Sequence, residues 1–179
     1  MSRNPSHNAA VTTETTAAAQ LVSKSSTRDL LRLYGAILSE LVRRQVIRSR
    51  NAPADEYAEY LAMVVYDGVL EPLSTKSSDL RAQDGRLVQV KSRVVVSGQS
   101  GNFSFFRSWA FDVCAFVKFD SETYDVISTI EVPVEAVRAL STVSAHVNGS
   151  RIRLRENLFK LEGAIDRTAD FRRAQNAMT

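Results

Sequence analysis

Histidine and cysteine are scarce in this chain of 179 residues: two histidines, His7 and His146, and one cysteine, Cys114. A multi-histidine metal centre or a zinc finger is therefore out of reach, and no intrachain disulfide can form. A serine triad would have to use His146. The nearest thing to a nucleophile elbow, Gly98-Gln99-Ser100, has Asn102 where the motif needs glycine. The seven glycines assemble neither a phosphate-cradling loop with its lysine nor a dinucleotide fingerprint. No apolar run is long enough to span a bilayer, and there is no internal repeat. The first residues, MSRNPSHNAAVTTETTAAAQ, carry threonines and a glutamate where a signal peptide needs an apolar block, so a cytoplasmic protein that makes no membrane contact is expected. Charge of one sign is also lacking: 23 Lys plus Arg against 20 Asp plus Glu leave +3, which is compatible with a polyanionic partner without requiring one. What remains is carboxylate, amide and lysine chemistry, which favours a hard cation such as Mg²⁺.

The chain is 44% hydrophobic, enough to build the core of one ordinary domain. Residues 1–25 are rich in Ser, Thr, Ala and Asn without an apolar period and read as a disordered or loosely attached tail. The ordered domain spans 26–179. Ser26 with Asp29 resembles a capping box, and Leu30, Tyr34, Ile37 and Leu41 follow at helical spacing, predicting a long amphipathic helix to about Ser49. Its arginines, together with Arg48 and Arg50, either face water or meet phosphates. Pro53 opens a second helix, with Asp55 and Glu56 where the dipole favours anions. Tyr57, Tyr60, Leu61, Val64 and Val65 make its apolar face, and Glu59 falls roughly opposite. Gly68 ends it, and Val69 to Leu73 reads as a strand. Further strands are expected over Ala110–Phe119 and Tyr124–Val132, a short helix over Val134–Leu140, a hairpin about Asn148-Gly149, and a charged terminal helix over roughly Gly163–Ala174. The aromatic stretch Phe103 to Trp109, with Arg107 inside it, either packs in the core or stacks on unpaired bases. Arg151, Arg153 and Arg155 alternate along one strand as an exposed face or a phosphate-facing ridge. The class is α+β or mixed α/β: a central sheet with helices packed on it.

The chemistry concentrates in Ser77–Arg93, read SSDLRAQDGRLVQVKSR. Two short extended runs flank Asp84-Gly85, a dipeptide suited to a type I′ hairpin turn, and Val94 to Val96 prolong the second run into the core. Strand side chains alternate faces, so Gln89 and Lys91 share one face and Val88 and Val90 the other. Folding the hairpin back brings Asp79 towards the polar face. A carboxylate, an amide oxygen and an ammonium then converge at a sheet edge, a trio able to hold a divalent cation and a phosphate together. Each residue also has a plainer reading: Asp79 as a turn former, Gln89 as a half-exposed strand residue, Lys91 as an edge charge.

Asp79, a turn, and then Gln89-Val90-Lys91 resemble the PD-(D/E)xK motif of restriction-endonuclease-like nucleases. The longer ordered set RSRNAPADEYAEYL, STKSSDL and GRLVQVKSR is similar to an uncharacterised bacterial branch of that superfamily, and the resemblance runs from about Leu30 to Phe159. It implies a helix before a mixed sheet with the motif on a central hairpin. It further implies an endonuclease that hydrolyses phosphodiester bonds in DNA with Mg²⁺ or Mn²⁺, in restriction, repair or defence, with a homodimer possible. Asp79 matches the metal-binding aspartate, Lys91 the lysine and Glu59 a helix glutamate that helps the site. Gln89 departs from the pattern, because an acid usually stands there and a glutamine carbonyl brings no charge to a cation. Lys76, Arg93, Arg107, Arg48 and Arg50 are the candidate nucleic-acid contacts. The alternative is a catalytically inactive nuclease-fold module that binds DNA or protein.

Overall fold

The computed structural model describes residues 17–72, 77–96, 103–144, 149–152 and 156–178. The chain divides into two compact units, Met1–Gln45 and Val46–Thr179. In the first, residues 17–24 are helical (α1); they fall in the stretch expected to be a disordered or loosely attached tail. Helix α2 follows over Thr27–Arg43. Its start is the capping arrangement expected: the Ser26 hydroxyl oxygen accepts from the Asp29 backbone N–H at 3.2 Å and donates to the Asp29 carboxylate at 2.7 Å. Its end is not. The helix stops at Arg43 rather than Ser49 because Gln45 takes a left-handed backbone, φ +61°, its N–H bonded to the Val42 carbonyl. Of the apolar face of α2 only Leu38 is buried, while Leu31, Tyr34 and Ile37 stay exposed.

The second unit holds a six-stranded sheet in the order β1-β2-β3-β4-β5-β8. These strands are β1 Val69–Leu70, β2 Leu80–Arg81, β3 Leu87–Val95, β4 Val113–Asp120, β5 Val126–Pro133 and β8 Ile165–Asp166. Every pairing is antiparallel except β3 with β4. A separate ladder joins β6 Thr142–Ser144 to β7 Gly149–Arg151. This is the hairpin expected near Asn148-Gly149, with Gly149 already in the second strand and 145–148 outside the described residues. The helices are α3 Ala54–Val65, α4 Val134–Leu140 and α5 Thr168–Asn176, with a 3₁₀ turn over Glu156–Lys160.

Strand β4 explains the layering. Its residues VCAFVKF alternate between two cores: Val113, Ala115, Val117 and Phe119 meet α3 and α5 residues such as Leu61, Ala62 and Phe171, while Cys114 and Phe116 join Phe103, Phe106, Phe111 and Val137. A strand buried on both faces has no need of polar alternation. The aromatic stretch therefore packs: Phe103 and Phe106 are buried, and Phe106 stacks on Trp109 with centroids 5.2 Å apart. Val94 and Val95 are only half-buried and Val96 is exposed, so β3 leaves the core where the sequence expects it to enter.

The Asp84-Gly85 turn takes a different form from the expected type I′. Gly85 alone has positive φ, +88°, its N–H bonds the Ala82 carbonyl at 2.9 Å, and the Ala82 N–H bonds the Arg86 carbonyl. Three residues make the loop, and only glycine takes the left-handed position, which spares Asp84 that conformation. At the end of α3, Gly68 has a structural reason: an added Cβ would lie 2.6 Å from the Arg81 carbonyl oxygen. The helix can turn that tightly onto β2 only without a side chain.

One charged cluster lies inside the first core. Glu131 on β5 is 3% exposed. It accepts from the Tyr66 hydroxyl and from Arg86 Nη1, both at 2.7 Å, and Arg167 Nε lies 3.6 Å away. Arg167 also covers the Tyr66 ring at 5.2 Å. Burial and the Glu131 charge push the Tyr66 hydroxyl well above its ordinary range.

Candidate functional site

The turn sets the register, and the register makes the site. Leu80 pairs with Val88 and Arg81 with Leu87, so one step further along the hairpin Asp79 faces Gln89. The Asp79 N–H bonds the Val88 carbonyl at 2.9 Å, continuing the ladder. Beyond that point the carboxylate replaces the main chain: Asp79 Oδ2 accepts the Val90 N–H at 2.6 Å and also the Gln89 side-chain amide. The Asp79 carbonyl is thereby free to accept the Glu71 N–H at 2.9 Å. Gln89 is 9% exposed and presents its nitrogen, not its oxygen, to the acid.

Lys91 stands two residues on, with its ammonium 5.2 Å from the centre of the Phe106 ring. Its charge acts on Asp79. Burial raises the Asp79 carboxyl above its usual range, with the Val90 N–H and the Lys91 charge opposing and Asp55 adding to the rise. Asp55, in the first turn of α3, also accepts the Ser92 hydroxyl at 2.5 Å. Cys114, paired with Gln89 across β3 and β4, is fully buried and its thiol is pushed far up, as expected of an inert core residue.

Glu59 is where periodicity misleads. It lies opposite the expected apolar face of α3, but the buried face is Ala58, Leu61 and Ala62, with Val64 exposed, which brings Glu59 round to the flank with its side chain only 15% exposed. Ala58, Leu61 and Ala62 press α3 onto the sheet, and the Arg48-Ser49 segment covers the flank that would otherwise be solvated. Glu56 fixes that segment by accepting the backbone N–H groups of Arg48 and Ser49 and the Ser49 hydroxyl. Burial pushes the Glu56 carboxyl up, but these three donors outweigh it and leave it lowered. The Arg48 guanidinium then reaches Glu59 Oε2 and the Glu71 carbonyl, the latter at 2.8 Å. For Glu59, burial and the Asp79 charge win over Arg48, and its carboxyl is pushed up to about 7. A carboxylate raised by the charge of an acidic neighbour, with one guanidinium bonded to it, makes this corner short of positive charge.

Of the expected site residues, Asp79 and Gln89 are in contact, the Asp79 charge raises Glu59, and the Lys91 charge lowers Asp79. Arg48 bonds Glu59 rather than standing free for a phosphate. Arg50, Arg93 and Arg107 are exposed. Arg93 lies two residues beyond Lys91, hence on the same strand face. Lys76, Arg153 and Arg155, like His7 and His146, lie outside the described residues. Sequence reasoning missed Glu56, Asp55 and the pairing of Arg48. The available signal was the acid pair Glu56 and Glu59, three apart on one helix face, preceded by the basic run Arg48-Ser49-Arg50.

Among the described residues no three His, Cys, Asp or Glu side chains are grouped so as to hold a metal ion. A cation here would take the Asp79 and Glu59 carboxylates and the Gln89 amide oxygen after that amide turns over. An all-oxygen set is the kind that Mg²⁺ or Mn²⁺ takes. The chain matches no known family model and no curated protein, and among the described residues no helix is long and apolar enough to cross a membrane.

Proposed function

We propose that this protein is a metal-dependent endonuclease of the PD-(D/E)xK type, on a restriction-endonuclease-like arrangement of helix, hairpin and mixed sheet. It hydrolyses phosphodiester bonds in DNA. The observation that carries the reading is the cross-strand contact of Asp79 with Gln89, two residues from Lys91 on the same strand face, with a second carboxylate, Glu59, close enough to be raised by the Asp79 charge. Asp79, Glu59 and the Gln89 oxygen would hold Mg²⁺ or Mn²⁺, which when bound supplies Lewis acidity to a water and charge to offset the phosphate. The chain's own residues do the rest. The Val90 N–H holds the Asp79 carboxylate in place. Lys91, steered by the Phe106 ring, donates to a phosphate oxygen as charge builds there. Arg93, with Arg107 beside Phe106, extends the positive edge along which a backbone runs. A cytoplasmic location and pairing of two copies to cut two strands go with this reading.

The test is nicking of plasmid and linear DNA in Mg²⁺ or Mn²⁺ beside Lys91→Ala. The expected loss on removing the ammonium is at least ~100-fold, the scale of one transition-state donor. Equal nicking by both proteins, or none by either across several substrates, contradicts the proposal.

Two observations favour a second reading, a catalytically silent module that binds DNA. Gln89 supplies an amide where a third acid would add charge, and Arg48 already neutralises Glu59. Salt-sensitive DNA binding without cleavage or cation uptake identifies that case.

A further inference from the structure

The position of Arg48 is not that of a surface arginine. Its main chain is pinned to the first turn of α3 by Glu56, through the N–H groups of Arg48 and Ser49. One helical turn on, Glu59 takes its guanidinium, which also donates to the Glu71 carbonyl at 2.8 Å. The side chain is 28% exposed. Its charge lowers both Glu59 and Asp79. Arg48 therefore occupies the place that a divalent cation on Glu59 would need: on the carboxylate, against a backbone carbonyl, with its charge felt at Asp79. Because the anchor is on the backbone and the plug is the side chain, the guanidinium can swing out while residues 48–49 stay fixed. No part of the fold has to open.

We propose that Arg48 is a built-in counter-cation that competes with the divalent metal for Glu59, so that metal enters only as the guanidinium leaves. The proposal rests on the cation-site reading above and adds a residue that acts against binding. A guanidinium bonded to one carboxylate and one carbonyl makes two charge-assisted contacts, and all of them must be given up. Removing them in advance should tighten the cation.

The experiment is titration of Mn²⁺ into the full chain by calorimetry and by electron paramagnetic resonance of free Mn²⁺. It compares wild type, Arg48→Met, Arg48→Lys and the double variant Arg48→Met with Glu59→Gln. Far-UV circular dichroism on each sample checks that it is folded. Arg48→Met should bind about 10-fold more tightly than wild type, the fold-change of a coupling near 1.4 kcal/mol. Arg48→Lys, which retains charge but loses the forked contact, should fall between. The double variant should lose the gain. Arg48→Lys carries the test if Arg48→Met does not fold. Wild type that binds Mn²⁺ together with Arg48 variants that bind it no more tightly overturns the role of Arg48 and leaves the nuclease reading standing. Binding by Arg48→Met but not by wild type supports the plug and removes the active-enzyme reading. No binding by any variant overturns both.

Discussion

The two carboxylate clusters of this unit are built on opposite principles. Glu131 is almost wholly buried, yet each of its oxygens has a strong donor: Tyr66 on one and Arg86 on the other, with Arg167 close behind. Its positive neighbours outnumber it. In the corner of Asp79 and Glu59 the ratio runs the other way. Asp79 raises Glu59, Asp55 raises Asp79, and against these three acids stand the Lys91 ammonium and one guanidinium that divides itself between a carboxylate and a carbonyl. A saturated acid holds a fold together, whereas acids left short of positive charge are where the proposed cation would act.

The sharpest way to break this contrast is to delete each acid and measure unfolding. Glu131→Ala strands the Tyr66 hydroxyl, leaves Arg86 and Arg167 only their second partners Asp84 and Asp170, and should cost about 3 kcal/mol, the range for breaking a buried charged pair, seen as a lowered midpoint in thermal or denaturant unfolding. A smaller effect arises from pH. Glu59 keeps its proton to about 7 in the folded chain against 4.5 unfolded, so its contribution is fully present below the lower value and lost as pH rises through the upper one. Between those values wild type should lose stability relative to Glu59→Gln by on the order of 2 kcal/mol. Parallel pH–stability curves for the two proteins would show that Glu59 does not titrate this way. The smallest effect is expected at Asp79, since Asp79→Asn removes a charge that burial and Asp55 disfavour while an amide oxygen still meets the Val90 N–H. Its stability should stay within about 1 kcal/mol of wild type while DNA nicking is lost. A loss as large as that of Glu131→Ala would mean that Asp79 is structural too.

Much of the corner was legible beforehand because hairpin geometry is local. A glycine that takes the left-handed turn position sets the register, and a register with period-two side chains decides that Asp79 faces Gln89 and that Lys91 follows on the same face. The turn type was misread, since Asp84-Gly85 suits type I′, but the three-residue loop still brings the same residues opposite. Non-local features were not legible. The parallel pairing of β3 with β4, the edge strand β8 and the burial of Glu59 all depend on segments distant in sequence. Helical periodicity scores one apolar face and has no means of seeing that Glu56 folds Arg48-Ser49 over the other flank. The end of α2 depends on a left-handed Gln45, a conformation that glutamine does not advertise.

The central claim is that Asp79, Gln89 and Glu59 share one divalent cation beside Lys91. A crystal grown or soaked with Mn²⁺ and measured at the manganese edge tests it directly. The account predicts an anomalous peak about 2.0–2.5 Å from Asp79, Glu59 and the Gln89 oxygen, with Arg48 turned away from Glu59. Density showing Arg48 still on Glu59, the Gln89 nitrogen still on Asp79 and no peak between them would contradict it.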